Sequence, residues 1–112
     1  MGKVGSQVAV DALLVYLSSE TDGSVRARIA SALGAIGSKN AMESLLARLD
    51  SDEDTNVRKT IAAALATLGD QNAAAPLLAR LEREWDSSAR MRITAALWKI
   101  SQAEKVFIPP LN

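Results

Sequence analysis

Residues 54–81 read DTNVRKTIAAALATLGDQNAAAPLLARL, and most of the chain around them repeats the same text. A shift of 32 residues lays Val25-Arg26 on Val57-Arg58, Ala32-Leu33 on Ala64-Leu65, Gly37 on Gly69, and Leu45-Leu46-Ala47-Arg48-Leu49 on Leu77-Leu78-Ala79-Arg80-Leu81. Between Val25 and Asn56, 15 of 32 positions are identical one period on. A fixed period of this length, filled with helical apolar spacing, is the mark of a stacked helical repeat in which no unit buries its apolar face alone. The pattern speaks of architecture and is silent about the partner.

Punctuation residues divide each period into two helices. Gly5-Ser6, Gly37-Ser38 and Gly69-Asp70 fall in one column. Each reads as a helix stop followed by a start, because glycine reaches the left-handed conformation cheaply and Ser or Asp can accept bonds from the next helix's first amides. Asp22, Asp54 and Asp86 recur as N-caps, which predicts first-type helices over 23–36, 55–68 and 87–100. Their inward stripes are Val25, Ile29, Ala32, Leu33 and Ile36, then Val57, Ile61, Ala64, Leu65 and Leu68, then Ala89, Ile93, Ala96, Leu97 and Ile100. Second-type helices are expected over about 7–17, 39–49 and 71–82, turning Val10, Leu13, Leu14 and Leu17, then Met42, Leu45, Leu46 and Leu49, then Ala74, Leu77, Leu78 and Leu81 to the same core. Two-residue turns make each pair antiparallel.

The run Asp-x-x-Val-Arg, Ala-Leu, Gly-Ser/Asp, Ala and Leu-Leu-x-x-Leu, carried from Gly5 to Val106, resembles HEAT-like repeats of the short kind named after the phycobilisome lyases. The resemblance implies an all-α, right-handed α-solenoid of stacked antiparallel helix pairs. The 112 residues then form a single repeat domain excised from a longer array, with units at about 1–21 (partial), 22–53, 54–85 and 86–112 (partial). It implies a structural ladder between units formed by Asp22, Asp54 and Asp86 with Arg26, Arg58 and Arg90. It also implies a scaffold or sensor that binds another protein on the concave face lined by the second-type helices. The third unit departs from the pattern: Ser101 stands for the turn glycine, Gln102 for the cap, and Pro109-Pro110 for a leucine pair.

Composition narrows the function classes. A chain that is 48% hydrophobic and 23% charged is ordinary globular material. Thirteen basic and thirteen acidic residues cancel, so the excess that nucleic-acid binding draws on is missing. With neither histidine nor cysteine there is no Ser-His or Cys-His pair and no usual zinc set. No enzyme activity, cofactor or metal is therefore expected, and the iron-binding branch that the resemblance brings to mind requires histidines absent here. The apolar runs are short and no signal-peptide core follows Met1, which makes the cytoplasm the expected compartment. The acidic run Asp50-Ser51-Asp52-Glu53-Asp54 lacks the glycine turn and distal Glu of a calcium loop and reads as solvated loop plus helix cap.

Two readings compete for the arginine column. Arg26, Arg58 and Arg90 could track phosphates, but an Asp at constant offset favours mutual neutralisation. Binding surface is better sought where the copies differ. On the second-type helices the outward columns run Asp11, Glu43, Ala75 and Tyr16, Arg48, Arg80. Tyr and Arg are enriched at binding hot spots, so Tyr16, Arg48 and Arg80, with Asp11 and Glu43, are the partner-binding candidates. An accessory subunit of a bilin lyase and a weak nucleic-acid-binding solenoid are the alternatives. Trp98 stands in a column of small residues, Gly34 and Ala66, and marks where regular stacking ends. It is expected to fold over the core's end with Phe107, whereas Trp85 is the more exposed ring. An opening helix without its first partner and a closing helix without its second could also meet end to end between copies.

Overall fold

Asp22 and Asp54 set where the first-type helices begin. The Asp22 carboxylate accepts from the Ser24 amide at 2.9 Å, and that of Asp54 from the Asn56 and Val57 amides at 2.8 and 3.3 Å. Gly37 and Gly69, at φ 78° and 65°, end the same helices in the left-handed conformation, each amide closing onto the carbonyl of Leu33 or Leu65. The computed structural model describes residues 3–37 and 39–103. Six α-helices and no strand lie among them: α1 (Lys3–Ser19), α2 (Gly23–Ile36), α3 (Lys39–Ser51), α4 (Thr55–Leu68), α5 (Ala74–Arg83) and α6 (Ser87–Ala103).

The even helices stack on one another as one layer and the odd helices as a second, and the core lies between them. Leu33, Leu45, Leu49, Ile61, Leu65, Leu77, Ile93 and Ile100 are fully buried there, each contributing about 1.5–3 kcal/mol by leaving water. Close approach in the even layer is set by small residues. A methyl group built on Gly34 would sit 2.6 Å from the Ala64 Cβ and 3.0 Å from its Cα, so α2 and α4 touch backbone to backbone at that level.

Several expectations are corrected. The Gly5-Ser6 pair makes no stop: α1 runs through it from Lys3, since glycine takes the helical backbone conformation as readily as the left-handed one. Likewise α6 continues through Ser101 to Ala103, because a non-glycine residue has no cheap left-handed exit. Pro76, which lacks an amide hydrogen and crowds the preceding turn, accounts for the 3-10 turn at Gln71–Ala73 before α5. Ile36 and Leu78, assigned to the core, are 37% and 52% exposed because each lies at the rim of its helix layer. Ser38, Phe107 and Pro109-Pro110 lie outside the described residues.

Candidate functional site: a carboxylate–arginine ladder and two exposed faces

The arginines are paired with carboxylates, but the acids come from another column and from the arginines' own unit, 22–53 or 54–85. Arg26 grips Asp52 side-on, Nε to Oδ2 at 2.8 Å and Nη2 to Oδ1 at 3.1 Å. Arg58 grips Glu84 in the same way at 2.7 and 2.8 Å. Each carboxylate stands two residues before an Asp cap and accepts from that Asp's amide, at 2.9 Å for Asp54 and 3.1 Å for Asp86. Asp22, Asp54 and Asp86 form no ion pair with the arginines; their oxygens are taken up by helix amides, including that of Ala89 at 2.8 Å from Asp86. A carboxylate whose oxygens are engaged by the amides of its own helix is not left to grip an arginine.

A second arginine closes each pair from the odd layer. Arg48 donates to Asp52 at 3.0 Å and Arg80 to Glu84 at 3.2 Å, both one helical turn back. Among the described residues no buried side-chain nitrogen or oxygen is left without a partner. Burial pushes the Asp52 and Glu84 carboxyls up. The arginine bonds, with the Asp54 or Asp86 amide, outweigh it and hold both below the usual carboxylate range. The same bonds raise Arg26 and Arg58 further above their already high ordinary values, against the pull of burial. Exposed Asp22 is also lowered, chiefly by the Ser24 hydroxyl and amide.

These contacts relocate the residues singled out in the sequence. Asp52 does not belong to a solvated loop: it is 3% exposed, and the acidic run is divided among a pair with Arg83 at Asp50, the ladder at Asp52 and the cap at Asp54. Arg26 and Arg58 are sealed in ion pairs and present nothing to a phosphate backbone. Arg80 is 9% exposed and Arg48 half-buried, so the face shared by Tyr16, Arg48 and Arg80 is not a uniform exposed row. Tyr16, at 61% exposure, and Asp11 and Glu43 are open to solvent, with Asp11 accepting from Gln7 at 2.9 Å. Trp85 is exposed and lies beneath the Arg58 guanidinium, 5.8 Å from ring centre to Cζ. Trp98 does not fold over the core; it stands 68% exposed. The signal for Asp52 and Glu84 was present in the column Glu20, Asp52, Glu84, which keeps its charge but not its identity and so escapes a search for identical residues.

Paired helices in two layers, glycine-ended and Asp-capped, with a buried arginine–carboxylate cluster closing each pair, define an α-solenoid. A family model of HEAT repeats matches residues 1–98, and the chain belongs to that family. Among curated proteins none matches it. Proteins of the HEAT-repeat family generally serve protein–protein interaction. No described helix is long and apolar enough to cross a membrane, and no described cluster of three or more acidic residues could hold a metal ion.

Proposed function

We propose that the chain is a non-enzymatic protein-interaction module whose partner, another protein, lies against the outward face of α1 and α3. One observation carries this. Val8, Val15 and Tyr16 are 62%, 65% and 61% exposed on α1, and with Ala12 they follow helical spacing along one stripe. A stripe of large apolar groups left in water is the usual mark of a contact surface. In the column where Arg48 and Arg80 are drawn into the ladder, Tyr16 is free to project. Asp11 and Glu43 supply an acidic rim, and Arg48 lines a shallow groove of about 210 Å³ between α1 and α3 with Leu14, Leu17 and Ser44. Arg80 belongs to the Glu84 pair, so the reading rests on the other candidates.

The test is capture of a partner by the intact chain, followed by titration of that identified protein against Val15→Asp and Tyr16→Ala. Loss of about tenfold or more in affinity, with an unchanged melting curve, is the expected result. Equal affinity for wild type and both variants refutes the assignment.

A further inference from the structure

The side of α6 turned away from α4 is built differently from its counterparts. One period back from Met91, Thr94 and Trp98 stand Lys59, Ala62 and Ala66, and two periods back Ala27, Ala30 and Gly34. On α2 this side carries the tight contact at Gly34. On α6 it carries Met91 and Trp98, 73% and 68% exposed, at the rim of an open groove of about 520 Å³ that Ser87, Arg90, Thr94 and Ala95 complete.

Arg90 is the second observation. Its Nη1 is anchored on the Leu81 and Glu84 carbonyls at 2.7 and 3.0 Å. Arg26 and Arg58 are anchored through Nη1 in the same way, on the carbonyls of Glu20 and Thr21 and of Asp52. In those two the remaining edge, Nε and Nη2, holds a carboxylate; the same edge of Arg90 pairs with none among the described residues. Between Ser87 and Gln102 α6 also carries Arg92 and Lys99 and no acid.

We propose that this face of α6 docks an amphipathic helix of a partner protein, with a carboxylate at that helix's N-terminal end. The chain's own packing supplies the orientation. Asp52 reaches Arg26 from just before α4, while farther along the helices Gly34 meets Ala64, so α4 lies parallel to α2 with its acidic end at the arginine. A helix laid on α6 in that sense sets its acid on the Nε–Nη2 edge of Arg90 and its apolar stripe on Met91 and Trp98. Its dipole favours the negative charge at that end. Arginine's fixed fork makes the contact bidentate, and Trp is the residue type that anchors such interfaces.

A second copy of this chain fits less well. Its Glu20, whose carboxylate pairs with no arginine among the described residues, would supply the acid, and its α2 would be the docked helix. That places only a methyl group, Ala32, on the exposed Trp98 ring, where a partner's apolar stripe can present larger side chains. It also brings Arg28, whose column counterpart Thr60 lines the α2–α4 groove, into a groove already holding Arg90.

The probes are synthetic amphipathic peptides of roughly 18 residues sharing one apolar stripe. One has Glu and Asp in its first turn, one Gln and Asn there, and one the acids in its last turn. Titrated calorimetrically into the full chain, the acid-first peptide should bind about tenfold or more tightly than the other two, with an affinity that falls as salt rises. Trp98→Ala should weaken it by a similar factor. Arg90→Lys, which keeps the charge but not the fork, should do so too at an unchanged melting curve, while Val15→Asp leaves binding intact and so separates this face from the α1 surface. Equal binding of all three peptides, no binding, or indifference to Trp98→Ala overturns the proposal. Concentration-dependent doubling of mass in light scattering, abolished by Glu20→Gln, overturns it in favour of a second copy.

Discussion

Arg58 and Glu84 lie side-on to each other, joined by two bonds of 2.7 and 2.8 Å, with side chains 2% and 0% exposed. Arg80 and the Asp86 amide occupy the rest of the carboxylate, so a buried charge is matched on every side.

Glu84→Ala leaves the Arg58 charge enclosed without a counterion and should cost roughly 3–5 kcal/mol. Asp86→Ala removes only a cap and should cost about 1 kcal/mol. Urea denaturation of the two variants checks the order; a larger loss for Asp86→Ala would return the ladder to the cap column. Replacing Arg58 and Arg80 with Met and Glu84 with Leu together should cost less than the single Glu84 change, since no lone buried charge then remains.

Acid should unfold the chain through these same groups. Asp52 and Glu84 are held below the usual range when folded and titrate near about 4 when unfolded. A depressed folded pKa gives stability that is complete above the unfolded value and disappears as pH falls through the folded one. The urea midpoint should therefore change little between about pH 7 and 5 on account of this pair and fall steeply below about pH 4. A midpoint as high at pH 2.5 as at pH 5 would rule out the pair as a source of stability.

Gly34→Ala sets two effects against each other. Alanine improves helix propensity by about 1 kcal/mol, whereas forcing α2 and α4 apart costs about 1–3 kcal/mol. The obstructing atoms are Cα and Cβ of Ala64, which no rotamer change can move, so net destabilisation should win. Trp98→Ala, at an exposed position in the same column, should stay within about 0.5 kcal/mol of the parent. Thermal melts of both variants test the contrast.

Tyr16→Ala and Arg80→Ala occupy one repeat column and should behave oppositely. The tyrosine is exposed and its loss should be nearly neutral, while removing Arg80 takes a donor from buried Glu84 and should cost about 1–3 kcal/mol. Equal denaturation midpoints would contradict the environments described for them.

The sequence by itself determined the repeat, its period, the Asp caps, the glycine stops and most of the core stripes. All are local: a cap bonds amides two or three residues away, and a stripe is a matter of spacing along one helix. The ends of α2 and α4 were legible for that reason. Partner choice between helices was not. Asp52 and Asp54 are the same residue type two positions apart, and only the stacking of α2 on α4 decides that the first faces Arg26 while the second caps a helix. Tertiary structure likewise separated Arg80 from Tyr16, since a column fixes direction along its own helix but not what the neighbouring turn places there. For Trp98 the sequence marked the break in the small-residue column, and only the packed layers decided that the ring stands in solvent beside the open edge of Arg90, because burial depends on which helix lies opposite.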